Sequence, residues 1–344
     1  MRKFFLLFDI LAISAAGFAG ITAFAVSAAE PAPPLKLAAH FTMPDEVKGR
    51  FDHLCADVAG NRLFLAAETA HEVLIFNLRT GKYLRAIPDI QIPHAIFVRD
   101  DLSRIYVTDG GAGELKIFDG RTYKLVKSVP LKVDADSIGY DPKTKYLYID
   151  SGGGDAHESF SMFSIVDTTT GDKMADIKVD GETLEAMAID PTNARIYVNN
   201  PAKGEVDVID RDTHEVTAHW PVTMGKRNVS ISLDSTQHRL FVACRSGAIV
   251  VFDTETGKEL QALPIDIGVD DLIFDSASKR LYASAGGMVD VYHAGDADHY
   301  ESLGKFTSGT GGKNEVLVPQ LHRLYVTIPP ANNPPGSVAV FDVQ

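Results

Sequence analysis

The sequence predicts an all-β fold, a seven-bladed propeller of four-stranded antiparallel blades whose ring is closed by the N-terminal strand. Three observations predict it. A short motif recurs seven times at a nearly constant interval; the residues around each copy read as four short strands; and the last copy lacks one strand that the start of the chain can supply.

The motif is a turn residue, then arginine, then leucine or isoleucine, then an aromatic or β-branched residue. The copies are NRLFLAA from Asn61, SRIYVTD from Ser103, KYLYIDS from Lys145, ARIYVNN from Ala194, HRLFVAC from His238, KRLYASA from Lys279 and HRLYVTI from His322. The third has Tyr146 where the others carry arginine. Successive copies lie 42, 42, 49, 44, 41 and 43 residues apart, the period of a propeller blade. Upstream of each copy runs an apolar stretch, which in five of the seven ends in aspartate, at Asp57, Asp141, Asp190, Asp234 and Asp275. Aspartate opening a turn, with proline next in Asp141-Pro142 and Asp190-Pro191, favours a tight type I connection between two strands. Downstream, glycine-rich loops lead to alternating runs such as LKIFD to Asp119 and IVVFD to Asp253, and a Thr-Gly turn often follows. A fourth strand completes each unit, and no long helix is predicted. The seventh unit ends after its third strand, whereas Leu35–Met43 alternates like a fourth strand ahead of the first unit. Pairing it beside Val338–Phe341 removes the open edges of the ring.

Residues 1–28 read as an export signal. Arg2 and Lys3 precede an apolar stretch from Phe4 to Val26, and small residues at 26–29 offer a cleavage site. A retained membrane anchor is the alternative, since the stretch is long enough to span a bilayer. Residues 29–34 form a proline-rich linker, and 35–344 form the propeller. The expected location is periplasmic or secreted, with no stable membrane insertion after cleavage. The formal net charge is −13, and loss of Arg2, Lys3 and Asp9 leaves about −14. That field repels phosphate backbones and excludes nucleic acid as a partner. A small molecule or a protein is the partner expected, and the chain is read as a monomer. Cys55 and Cys244 fall in units one and five, too far apart round a ring for the roughly 7 Å that a disulfide allows; both are expected to be free thiols.

The sequences YVTD at 106–109, YVNN at 197–200 and YVTI at 325–328 resemble the signature of the YVTN-repeat, YncE-like β-propellers, over nearly all of the mature chain. GRFDHL at 49–54, DADSIGYD at 134–141 and DADHY at 296–300 are similar to a secreted bacterial subgroup. The resemblance implies the fold. Some members are associated with DNA binding; this acidic chain has no basic stripe and departs from that expectation.

No nucleophile elbow, phosphate-binding loop or zinc-protease motif is present. One positional pattern stands out. The position five residues before the end of each innermost strand holds Asp52, His94, Asp136, Glu185, Val229, Asp270 and Lys313. Equivalent positions form a ring about the axis, and His53, Asn228, Asp271 and Asn314 are adjacent in sequence. The loops between second and third strands, with His71 and Glu72 in the first unit and Asp155, His157 and Glu158 in the third, reach the same mouth. Two roles fit. The ring binds a ligand through Asp52, His53, His94, Asp136, Glu185, Asn228, Asp270, Asp271 and Lys313, with Asp52, His94, Asp136 and Glu185 able to hold a divalent metal ion. Alternatively, its polar groups only solvate a water-filled channel. The functional reading is therefore a binding or scaffold protein that holds a small ligand or partner at the channel mouth. The alternative is a metal-dependent hydrolase or lyase, lactonase-like, with a divalent ion in the channel. The arginines recurring once per unit, Arg62, Arg104, Arg195, Arg239, Arg280 and Arg323, read as scaffold, Trp220 reads as packing, and Asp298-His299-Tyr300 reads as a loop tie.

Overall fold

Seven four-stranded antiparallel sheets follow one another along the chain in the computed structural model, which describes residues 32–330 and 335–344. Each of the first six sheets is a simple meander, at 54–87, 93–130, 135–180, 187–221, 228–264 and 269–307. The seventh takes three strands from 315–343 and its outer strand from Leu35–Thr42. That strand pairs antiparallel with Ser337–Val343, from Leu35 opposite Val343 to Thr42 opposite Ser337, and closes the ring as expected. The only helices among the described residues are three 3-10 turns of three residues each, and none is long and apolar enough to cross a membrane. The expected signal at 1–28 lies outside the described residues, as does the start of the linker.

The core is divided by the repeat. Seven clusters of buried apolar residues lie one at each seam between neighbouring blades. A single blade has two apolar faces and cannot bury either alone; stacking buries both. The motif aromatics occupy these seams, so that Tyr106, Tyr148, Tyr197, Tyr282, Tyr325, Phe64 and Phe241 are all at most 1% exposed. Two of the tyrosines also donate across the seam, Tyr106 to the carbonyl of Thr168 and Tyr325 to that of Leu78. Trp220, on the outer strand of blade 4, packs on Tyr197 and Phe252.

The motif arginines clasp the blades together. Arg62, Arg195, Arg239, Arg280 and Arg323 each donate to a backbone carbonyl in the next blade, at Gly120, Thr254, Ala297, Gln344 and Arg79 respectively. Blade 3, with Tyr146 in place of arginine, is held from the opposite direction. Arg211 of blade 4 reaches back to Asp141 at 3.1 Å, both side chains 4% exposed. The turn aspartates accept backbone amides two or three residues on, as at Gly60, Lys143, Thr192, Thr236 and Ala277. Asp298 and His299 tie their own loop, Asp298 to Arg239 and His299 to Asp296.

Candidate functional site at the channel mouth

Six of the seven innermost strands share one irregularity, and it builds most of the site. In blades 2, 3, 5 and 6 the pairing of the innermost strand with its neighbour slips by one residue. The slip falls at His94-Ala95, Asp136-Ser137, Val229 and Asp270. In blades 1 and 4 a single residue of the second strand does the same: Ala66 bonds both Asp52 and His53, and Asn199 bonds both Glu185 and Ala186. A bulge places two residues against one and re-aims a side chain out of the pleat. Here the re-aimed residues are the ring positions read from the repeat. Asp52, His94, Asp136, Glu185, Val229, Asp270 and Lys313 all line one cavity of about 200 Å³, together with His53. Beneath them, opposite the bulges, lies a buried polar tier that includes Thr108, Asp150, Asn199, Ser284 and Thr327.

Three expectations about neighbouring residues need correction. Asn228 does not line the cavity; it is 1% exposed and donates to Asn199 Oδ1 and the carbonyl of Glu205, at the seam with blade 4. The bulge turns Val229 inward and so turns Asn228 away. Asp271 lies behind the ring, accepting the amide of Glu315 and facing His53 Nδ1 at 3.4 Å. The loop residues His71, Glu72, Asp155, His157 and Glu158 also stand off the lining. His71 bonds the carbonyl of Gln91 on a shallower rim depression of about 680 Å³ between blades 1 and 2, and Glu158 pairs with Lys132. That depression is larger but gathers fewer titratable groups than the mouth.

The sequence pattern does not mark three charged lining residues, Arg50, Glu68 and Arg245. Glu68 and Arg245 are the residues immediately after the second strands of blades 1 and 5, equivalent positions in the repeat. The same position in blade 2 is Gly110, where a β-carbon would come within 2.7 Å of the His94 ring. In blade 2 the His94 ring thus leaves no room for a side chain there, whereas in blade 5 small Val229 leaves room for Arg245.

The charges are organised in pairs. His94 Nδ1 donates to Asp52 Oδ2 at 2.6 Å and lies 3.8 Å from Asp136 Oδ1. Asn314 bridges Asp52 and Asp270 at 3.3 and 3.1 Å. Arg245 bonds Asp270 at 2.7 Å and Glu185 at 3.4 Å, Lys313 pairs with Asp270, and Arg50 with Glu68 at 2.8 Å. Burial alone would raise the Asp52 pKa, but His53 and His94 outweigh it and hold this carboxyl well below its usual range. Burial would lower His94, yet the hydrogen bond to Asp52 and the charge of Asp136 lift it to about 9. Asp136 is pushed up to about 6 by burial, with His94 opposing. Glu185 is pushed up to about 8 by burial and by Asp136, with Arg245 opposing. Asp150 stands behind them, raised well above its usual value by burial and by Asp136. Asp136 Oδ1 and Asp150 Oδ2 are buried with no hydrogen-bond partner among the described residues. The oxygens and imidazole of Asp52, His94 and Asp136 lie within 4.8 Å of one another, a spacing that a divalent cation can bridge; Glu185 falls outside this group.

A closed ring of seven four-stranded sheets, six with a bulged inner strand, around a polar mouth defines the class, a seven-bladed β-propeller. In sequence the chain is YncE-like: over 99 residues, 29% of its length, it is 30% identical to the proteins named YncE from Salmonella typhi and Salmonella typhimurium. The match spans 28% of the length of those relatives, which are described as uncharacterized. No protein-family profile matches the chain. Among solved structures, a chain of Kuenenia stuttgartiensis hydrazine synthase superposes with a TM-score of 0.72, covering 87% of this chain and 98% of that one. At 17% identity this likeness shows the fold alone.

Proposed function

We propose that the protein is an exported, periplasmic or secreted, binding protein that holds a small polar ligand at the mouth of its channel. The observation that carries this reading is Asp136, a residue of the cavity lining whose Oδ1 is buried without a donor. Leaving a buried carboxylate oxygen unbonded costs on the order of 1–3 kcal/mol, which an incoming donor recovers. The cavity, about 200 Å³, is smaller than the roughly 300–1,000 Å³ of drug-sized ligand sites and suits a small molecule. Nucleic acid is not the partner, because the net charge of −13 opposes phosphate. The test is a thermal-shift screen of a metabolite panel. A ligand at one hundred times its Kd adds about 2.7 kcal/mol to stability. Asp136→Ala and His94→Ala are expected to abolish the shift while the protein stays folded. A shift that survives both substitutions overturns the assignment.

The second reading, a divalent ion assisting hydrolysis or lyase chemistry, is favoured by the spacing of Asp52, His94 and Asp136. Such an ion would polarise a substrate carbonyl. It must displace the proton that His94 shares with Asp52. Elemental analysis of the purified protein, with a melt in the presence and absence of chelator, supports this reading if one equivalent of metal is found and excludes it if none is.

A further inference from the structure

Resting on the binding reading above, the cavity also has a polarity that narrows its ligand. The ring positions follow blade order, so in a ring of seven the wall of blades 3 and 4 stands across from blades 7 and 1. Blades 3 and 4 contribute Asp136 and Glu185, with Asp150 behind. Blade 7 and the segment leading into blade 1 contribute Lys313 and Arg50, while Arg245 of blade 5, next to blade 4, pairs with Glu185 at 3.4 Å.

The two walls differ in what they leave unmade. On the acidic wall, Asp136 Oδ1 has no donor, and neither has Asp150 Oδ2 in the tier beneath. On the basic wall the heads are anchored but not used up. Lys313 gives Asp270 one of three N–H groups. Its side chain is 41% exposed, and that of Arg50 is 81% exposed. The acidic side therefore offers an unmet acceptor at Asp136, and the facing side offers unused donors at Lys313 and Arg50.

We infer that the ligand is a small zwitterion of amino-acid size, its ammonium on Asp136 and its carboxylate toward Lys313 and Arg50. A metal cation alone satisfies the acidic wall and leaves the basic donors idle; a simple anion does the reverse. A molecule with both charges separated by a short chain meets both walls, and each contact is a charge-assisted hydrogen bond. Asp270 and Asp52 are not available to it, since Lys313, Arg245, Asn314, His53 and His94 already surround them.

The experiment is isothermal titration calorimetry of the intact protein. The probes are the encoded amino acids, β-alanine and 4-aminobutyrate, each beside its N-acetyl and methyl-ester derivative. At least one zwitterion is expected to bind saturably, and blocking either charged end is expected to weaken it tenfold or more. Asp136→Asn and Lys313→Met are expected to weaken it to a similar degree. The derivative comparison uses the unaltered protein, so it stands even if a variant misfolds. The inference is overturned if no zwitterion binds or if a blocked derivative binds as well as its parent. Manganese chloride, monocarboxylates and neutral sugars are titrated in parallel. If one of these binds and Asp136→Asn abolishes it, the binding reading stands and the zwitterion falls; if nothing binds, both fall.

Discussion

His94 Nδ1 lies 2.6 Å from Asp52 Oδ2, across the seam between blades 1 and 2. This bond ties the folding of the ring to the protonation of one imidazole. The folded His94 pKa is about 9, above the ordinary 6.5, so its contribution to stability is fully present below pH 6.5 and is lost as pH rises through about 9. The Asp52→Asn variant is therefore expected to melt at a lower temperature than the parent at pH 6, with the difference shrinking above pH 9. Its His94 resonance should titrate at least one unit lower by NMR. An unchanged His94 titration contradicts the pairing.

Ring closure depends on the strand Leu35–Thr42, whose Phe41 packs on Tyr325 in the seam between blades 7 and 1. Phe41 is 4% exposed, and Phe41→Ala is expected to cost about 3 kcal/mol in urea unfolding. The exposed His40→Ala in the same strand should cost under about 0.5 kcal/mol. Equal effects from the two substitutions would show that this strand is not part of the cooperative fold.

The repeat made the ring legible because register reports depth along a blade. Once His94 is placed five residues before the end of its strand, Asp136 and Asp270 follow by counting. Register does not report which way a bulged residue turns. Asn228 and Asp271 are next to ring positions in sequence, yet the one-residue slip sends Asn228 into the seam with blade 4 and Asp271 behind the ring. Glu68 and Arg245 escaped notice for a different reason. They enter from the loops between second and third strands, and only alignment of those loops with Gly110 shows that the position faces the mouth. The pairing of Arg211 with Asp141 was equally hidden, since it replaces a motif arginine from the neighbouring blade.

Cys55 lies on the innermost strand of blade 1 and Cys244 on the second strand of blade 5, and both are free. Burial pushes both thiols up to about 12, with Asp57 adding to the rise at Cys55 and Glu259 at Cys244. Neither is then expected to react with a thiol reagent in the folded protein at pH 8 on the timescale of minutes. Denatured, unreduced protein should titrate two thiols per chain. A count of zero in a monomer contradicts the blade register.

The most direct measurement on the site is hydrogen exchange, followed by mass spectrometry, with and without the small-molecule ultrafiltrate of a bacterial lysate. If the mouth holds the ligand, exchange slows in peptides containing residues 50–53, 94–95, 136–137, 185–186 and 245, and Asp136→Asn removes the effect. Protection confined to the rim depression at 70–72 and 88–92, or no protection anywhere, would contradict the assignment of the channel mouth as the binding site.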